Sequence, residues 1–248
     1  MEKLIITDNY NIRDAINNNL DKVLRQKRTS PFIGMVRIYE NGILNTDQSK
    51  DGWLFNMTIG SGREFANQSI FKLVPPSSPP GSTTPRLGDI TEYSVNAFSV
   101  GSNGSSIDSN DNITLLGPNV CDDESAAPIA LNTSCFKNRS GTPYIVKKLV
   151  SDTDIFLQTS DDIEFTGCQD RYFTITKCIC KVDAGEPSSL ETGNVVKIDE
   201  AFLYATHPGM THDNDSTTHK VVPFAHICFA PKFVEKESIF IIEWFIIF

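Results

Sequence analysis

Three of the chain's four histidines, His207, His212 and His219, fall in one polar stretch that also carries Asp213 and Asp215. Imidazole nitrogens and carboxylate oxygens are donors for zinc and related cations. The spacing matches no zinc signature and the stretch lacks a cysteine, so it reads as a polar loop. The fourth histidine, His226, stands in a strand-like run and reads as a hydrogen-bonded strand residue. Asp108-Ser109-Asn110-Asp111-Asn112 resembles the opening of a calcium loop. That motif needs a turning glycine at its sixth position and a bidentate glutamate at its twelfth, where this chain has Ile113 and Asn119. A turn-rich loop is the better reading. Ser69-Ile70-Phe71-Lys72 and Ser134-Cys135-Phe136-Lys137 both fit Ser-x-x-Lys, but neither has the companion motifs of an acylating enzyme. No nucleophile elbow, Walker loop, dinucleotide fingerprint or Cys-x-x-Cys pair is present. No catalytic, cofactor-binding or metal-ligating residue is therefore assigned, and a non-enzymatic protein is expected.

The net charge of −9 and pI near 4.9 repel a phosphate backbone, which disfavours nucleic-acid binding. Arg25, Lys27 and Arg28 form the one basic cluster and read as a solvated helix end. The six cysteines are Cys121, Cys135, Cys168, Cys178, Cys180 and Cys228. The first residues show no long apolar run and no small-residue cleavage site, so no signal peptide is predicted and reduced thiols are expected. If any disulfide forms, Cys121 with Cys135 is the natural pair. Cys178 and Cys180 alternate along a strand and point the same way. Asn-x-Ser/Thr triplets, as at Asn56 and Asn103, read as chance products of an Asn-, Ser- and Thr-rich composition.

These side chains need a scaffold, and its pattern is mostly period two. Residues 10–27 are the exception: Ile12, Ala15, Ile16, Leu20, Val23 and Leu24 recur at helical spacing, with Pro31 beyond the end. Segment 32–39 followed by Glu40-Asn41-Gly42 and then Ile43-Leu44 predicts a hairpin with an Asn-Gly turn. Further strands are predicted over 53–59, 93–100, 144–150, 154–159, 171–182, 195–205, 220–230 and 238–248. A polar loop is expected from 101 to 112. Pro223 suggests edge character near the start of its strand. Segment 195–204 should pair antiparallel with one of the two closing strands. Prolines 75, 76, 79, 80 and 85 make 75–88 an exposed linker or arm. The region 115–163 reads as a loop-rich insertion, and 205–219 as a polar excursion. The final run, Ile239-Phe240-Ile241-Ile242-Glu243-Trp244-Phe245-Ile246-Ile247-Phe248, is apolar on both faces. It is too short for a membrane helix, which needs about 20 residues. Such a strand must be covered on both sides.

Several segments also resemble virion structural proteins of tailed bacteriophages. These often open with a helix of the form Asn-x-Ile-Arg-Asp-Ala; here Asn11-Ile12-Arg13-Asp14-Ala15-Ile16 is one residue shorter before the isoleucine. A middle strand of the type Phe-x-Val-Gly-x-Gly is matched by Phe98-Ser99-Val100-Gly101-Ser102-Asn103-Gly104, one residue longer. Their end is matched in order by Ile198-Asp199-Glu200-Ala201-Phe202-Leu203-Tyr204, by Phe224-Ala225-His226-Ile227-Cys228-Phe229-Ala230-Pro231, and by the closing strand from Phe240. The similarity lies mostly at the two ends of the chain. It implies a particle component of the tail, neck, baseplate or head-decoration type without choosing among them, and it does not reach 115–163 or the Pro-rich stretch.

The expectation is a single mainly β domain over 1–248, an antiparallel β-sandwich with one N-terminal amphipathic helix and long loop insertions. It would tile or bridge subunits in a virion assembled in the host cytoplasm. Its partners would be copies of itself and other virion proteins, with no nucleic acid, no membrane insertion and no cofactor. A capsid decoration protein is the alternative within that class. A receptor- or glycan-binding module of a tail fibre, with Trp53 or Tyr93 as an exposed platform, is the alternative outside it; Trp53 itself reads as packing inward. A polysaccharide hydrolase would need paired carboxylates in a cleft, about 5–10 Å apart.

Overall fold

A computed structural model describes residues 32–49, 52–58, 60–71, 92–116, 129, 131, 136–137, 143–144, 146–150, 153–160, 173–187, 195–208 and 221–247. Within them the chain is mainly β and antiparallel. Its strands are β1 (Ile33–Glu40), β2 (Ile43–Leu44), β3 (Leu54–Thr58), β4 (Ser94–Gly101), β5 (Ser105–Ile107), β6 (Ile113–Leu115), β7 (Phe136–Lys137), β8 (Pro143–Tyr144), β9 (Lys147–Lys148), β10 (Ile155–Ser160), β11 (Phe173–Val182), β12 (Val195–Thr206), β13 (Val222–Glu235) and β14 (Phe240–Ile247). One helix, α1 (Gly60–Phe71), is present among the described residues.

The main sheet runs β10-β11-β14-β1-β3-β13-β12-β4-β9, with β2 beside β1. β1 is rich in β-branched and aromatic residues, which suit a pleated buried surface. It turns into β2 through Asn41 and Gly42, whose positive φ angles of 51° and 79° suit the primed hairpin turn that Asn-Gly predicts. β3 is the joint of the sheet. It pairs with β1 from Leu54 to Asn56 and with β13 at Met57 and Thr58.

β14 lies between β1 and β11 over its whole length. Phe240, Ile242, Trp244 and Ile246 face a core shared with Val36, Ile38, Cys178, Cys180 and Val182. On the other face Glu243, Phe245 and Ile247 are buried as well. There Lys177 Nζ meets Glu243 Oε1 at 2.5 Å, and the rings of Trp53 and Phe245 sit 5.2 Å apart. The run that is apolar on both faces is thus covered on both. Trp53, buried under Arg37, packs inward as the sequence suggests.

The β4-β12-β13 half contributes Phe98, Val100, Ala201, Leu203, Ala225, Ile227 and Phe229 to the same core. Phe229 and Phe240 approach to 6.2 Å, and Phe32 stacks on Phe224 at 5.0 Å. The sheet therefore curls over one apolar interior. Its ends also meet. Lys147 on β9 donates to Lys181 O on β11 at 2.8 Å and pairs with Glu186 at 2.8 Å and Asp183 at 3.3 Å. Burial alone would raise the Asp183 carboxyl, but Lys181 and Lys147 outweigh it and hold it below the ordinary value. Burial also pushes the Cys178 thiol up to about 12 and Cys180 well above the usual thiol range. Both are free and face the core, as their alternation predicts.

Two features differ from the sequence-based expectation, and a third agrees with it. The expected 53–59 strand is present as β3, but α1, which follows it, was not legible, because Gly60, Ser61, Gly62 and Asn67 are weak helix formers. Gly62 has a packing reason: a Cβ there would stand 2.1 Å from Phe224 O, so only glycine lets the helix lie against β13. The polar loop 101–112 contains the start of a hairpin, β5 with β6, nucleated by Asp108 accepting from Asn110 N and Asn112 N. Pro223 stands where β13 pairs with β12 alone among the described strands, since pairing with β3 is at Ala225 and His226, so the edge character expected near the start of the strand is present. Further along, β13 lies between β3 and β12, and the proline is accommodated at a register shift opposite Tyr204. The expected helix at 10–27, the Pro-rich 75–88, most of 205–219, Cys121, Cys135 and Cys168 lie outside the described residues. The 115–163 region is described in part, as β7 to β10.

Candidate functional site

The densest polar chemistry lies on the outer face of β12 and β13, and a bulge puts it there. Ile198 and Ala201 both reach the core although they stand three positions apart. Period-two alternation forbids that without an extra residue, and the β12–β13 register shifts between Ile198 and Glu200. Two consecutive carboxylates, Asp199 and Glu200, are thereby both turned away from the core and both buried.

Asp199 holds a turn. It accepts from Gly104 N at 2.8 Å, Ser105 N at 2.9 Å and Ser105 Oγ at 2.6 Å, and it pairs with Lys197 at 2.6 Å. Lys197 also donates to Ser102 O and Ser105 O. A buried carboxylate is tolerable only with this degree of compensation. Gly104 is required here, since a Cβ would meet Asp199 O at 2.1 Å.

Glu200 differs. Oε1 accepts from Asn103 N at 3.3 Å, while Oε2 lies 3.2 Å from His226 Nε2. Cys228 Sγ lies 3.5 Å from the same nitrogen. Strand geometry explains the convergence: Cys228 is directly opposite Glu200, and His226 precedes it by two residues on the same face. Phe202, opposite His226, stacks on the imidazole at 3.8 Å and 9°. Donor atoms of the three side chains lie within 4.8 Å of one another, and all three residues are buried.

A nucleophilic Cys–His pair needs its base oriented by a third group through the other ring nitrogen. Here carboxylate and thiol both address Nε2, and Nδ1 is buried without a hydrogen-bond partner among the described residues. The arrangement lacks the relay of a thiol hydrolase. It has the donor set of a metal site.

The histidines singled out in the sequence are not the ones gathered. His207 pairs with Glu92 at 2.9 Å and packs on Tyr93, while His212 and His219 lie outside the described residues. His226, expected as a hydrogen-bonded strand residue, does contact Glu200, but Cys228 and Phe202 stand beside it as well. The legible signal was His226-x-Cys228 on one strand face; what could not be read was which strand brings the carboxylate. The calcium-like Asp108 spends its oxygens within its own hairpin, and the hydrogen bonds from Asn112 and Asn110 hold its carboxyl below the ordinary value. Of the two Ser-x-x-Lys patterns, Lys72 and Ser134 lie outside the described residues.

The segments 98–104, 198–204 and 224–231 are neighbours in space, on or beside β4, β12 and β13. No protein family, curated protein or solved structure matches the chain.

Proposed function

We propose that the protein is a non-enzymatic structural component of a tailed-phage particle, a curled β-sandwich that bridges or tiles subunits in the tail, neck or baseplate. The observation that carries the reading is the β5–β6 hairpin. Ile107 pairs with Ile113, and Leu115 follows two residues on, so the three share one hairpin face. All are exposed, Ile113 by 50%, with Leu116 next to them at 55%. Phe233, on the strand that the hairpin contacts, is 57% exposed. Apolar side chains grouped on a projecting element mark a surface that another protein covers. In symmetric assemblies many such contacts of modest strength add up. The acidic surface fits a protein partner better than nucleic acid. Among the described residues no helix is long and apolar enough to cross a membrane.

The test is sedimentation of the full chain over a concentration series, followed by localisation in purified particles. Self-association that Leu115→Ser with Leu116→Ser abolishes, at unchanged melting temperature, is expected. A chain that stays monomeric at every concentration and is missing from particles overturns the reading. Specific glycan binding would favour the fibre-tip alternative. Burial of Trp53 removes one of the two aromatics that alternative relied on.

A further inference from the structure

We infer that Glu200, His226 and Cys228 form a three-ligand site for a borderline-soft divalent cation of the zinc class, which staples β12 to β13 beside the bulge. Such a site does not depend on the proposed particle role.

Three observations converge. First, the donors are the right ones: a thiolate, an imidazole and a carboxylate are the three kinds of protein ligand that zinc takes. Second, both separations from the imidazole are those of a coordination shell, and all three donor atoms lie within 4.8 Å of one another. Bonds of about 2.0–2.3 Å at tetrahedral angles place N and O ligands about 3.3 Å apart and N and S ligands about 3.6 Å apart. The observed separations are 3.2 Å between His226 Nε2 and Glu200 Oε2 and 3.5 Å between Cys228 Sγ and Nε2. Third, one ring nitrogen is addressed by a carboxylate and a thiol at once. A neutral imidazole nitrogen carries either one proton or one lone pair. If Nε2 donates to Glu200 it cannot accept from the Cys228 thiol, and if it accepts from the thiol the carboxylate loses that donor. Nδ1 offers no escape, since it has no partner among the described residues. A cation held by all three atoms resolves the conflict.

The scaffold suits the role. Ring orientation is set by stacking on Phe202, and Glu200 is positioned by the bulge and by Asn103 N. Both are in place without the ion. The fourth coordination position would be left to water or to a neighbouring group. Binding requires the Cys228 thiol to release its proton, so affinity should fall as the solution is acidified.

The experiment uses the full chain, stripped with chelator and then titrated with Zn²⁺ or Co²⁺. One Co²⁺ per chain is expected, with a thiolate-to-cobalt charge-transfer band and the visible bands of a tetrahedral ion. Saturating Zn²⁺ should raise the melting temperature by roughly 5 °C or more. Cys228→Ser should lose the charge-transfer band and most of the thermal shift. A variant-free readout stands beside these. Zn²⁺ should slow alkylation of Cys228 in the native wild-type chain at least about tenfold, scored by peptide mass spectrometry, and chelator should reverse the effect. Unchanged Cys228 alkylation with saturating Zn²⁺, or a thermal shift that Cys228→Ser retains in full, overturns the site. The latter result would place the ion elsewhere, for instance among His207, His212 and His219.

Discussion

The β1-β11-β14 and β4-β12-β13 halves of the sheet cover one core but treat buried polarity in opposite ways. In the β14 half, buried charge is spread over separate contacts. Lys177 meets Glu243 at 2.5 Å, and Arg37 lies over the Trp53 ring at 4.3 Å. In the β12 half, the bulge at Asp199 gathers polar atoms in numbers, and at His226 the donors do not balance. Buried polar groups are normally satisfied, so an imbalance is the more informative state. The β14 half joins its strands around the core. The β12 half is arranged to hold something: the 102–105 turn at Asp199 and, by our inference, a cation at His226.

Substitutions in each region should separate these roles. The largest effect is expected at Trp244→Ala, which removes a fully buried indole between two strands. It should cost about 3–5 kcal/mol, read as a fall in the urea midpoint, and should leave cobalt binding intact in whatever fraction folds. Loss of less than about 1 kcal/mol would show that the β14 interior is not cohesive. Next, Asp199→Ala should cost roughly 3 kcal/mol, because it strands Lys197 and the N–H groups of Gly104 and Ser105. It should also raise amide exchange at 102–105; unchanged exchange there would refute the clamp. The smallest effect concerns alkali. Cys178 is held at about 12 in the folded chain and Tyr39 also at about 12, with burial the first cause for both. Both stay neutral while the unfolded chain deprotonates. Their contribution is therefore whole below the unfolded values, near 9 and 10, and is lost as pH rises towards 12. Near pH 10 the loss from Cys178 alone is about 1 kcal/mol. A urea midpoint that stays level through this window, or one that falls equally in Cys178→Ala, would contradict that origin.

Strands with strong local signatures were legible: the Asn41-Gly42 hairpin, the alternation of β11 and the doubly apolar β14 all declare themselves in a few residues. What was not legible depended on contacts distant in sequence. α1 forms despite two glycines because β13 accepts it. β5 and β6 are too short and polar to stand out, and Asp108 organises their turn through bonds no composition reveals. The metal-like cluster is the clearest case. His226 was read as a strand residue and Cys228 was not set beside it, although their two-residue spacing puts them on one face, and Glu200 joins them only through strand pairing and an inserted residue.

Lys147 has a consequence beyond its ion pairs. By linking β9 to the end of β11, it brings two sides of the open sheet together among the described residues. At that place, copies packed at high density would meet through side chains and not by adding strands to one another. The ammonium group of Lys147 would thereby shield that stretch of β11 from pairing with a strand of another chain.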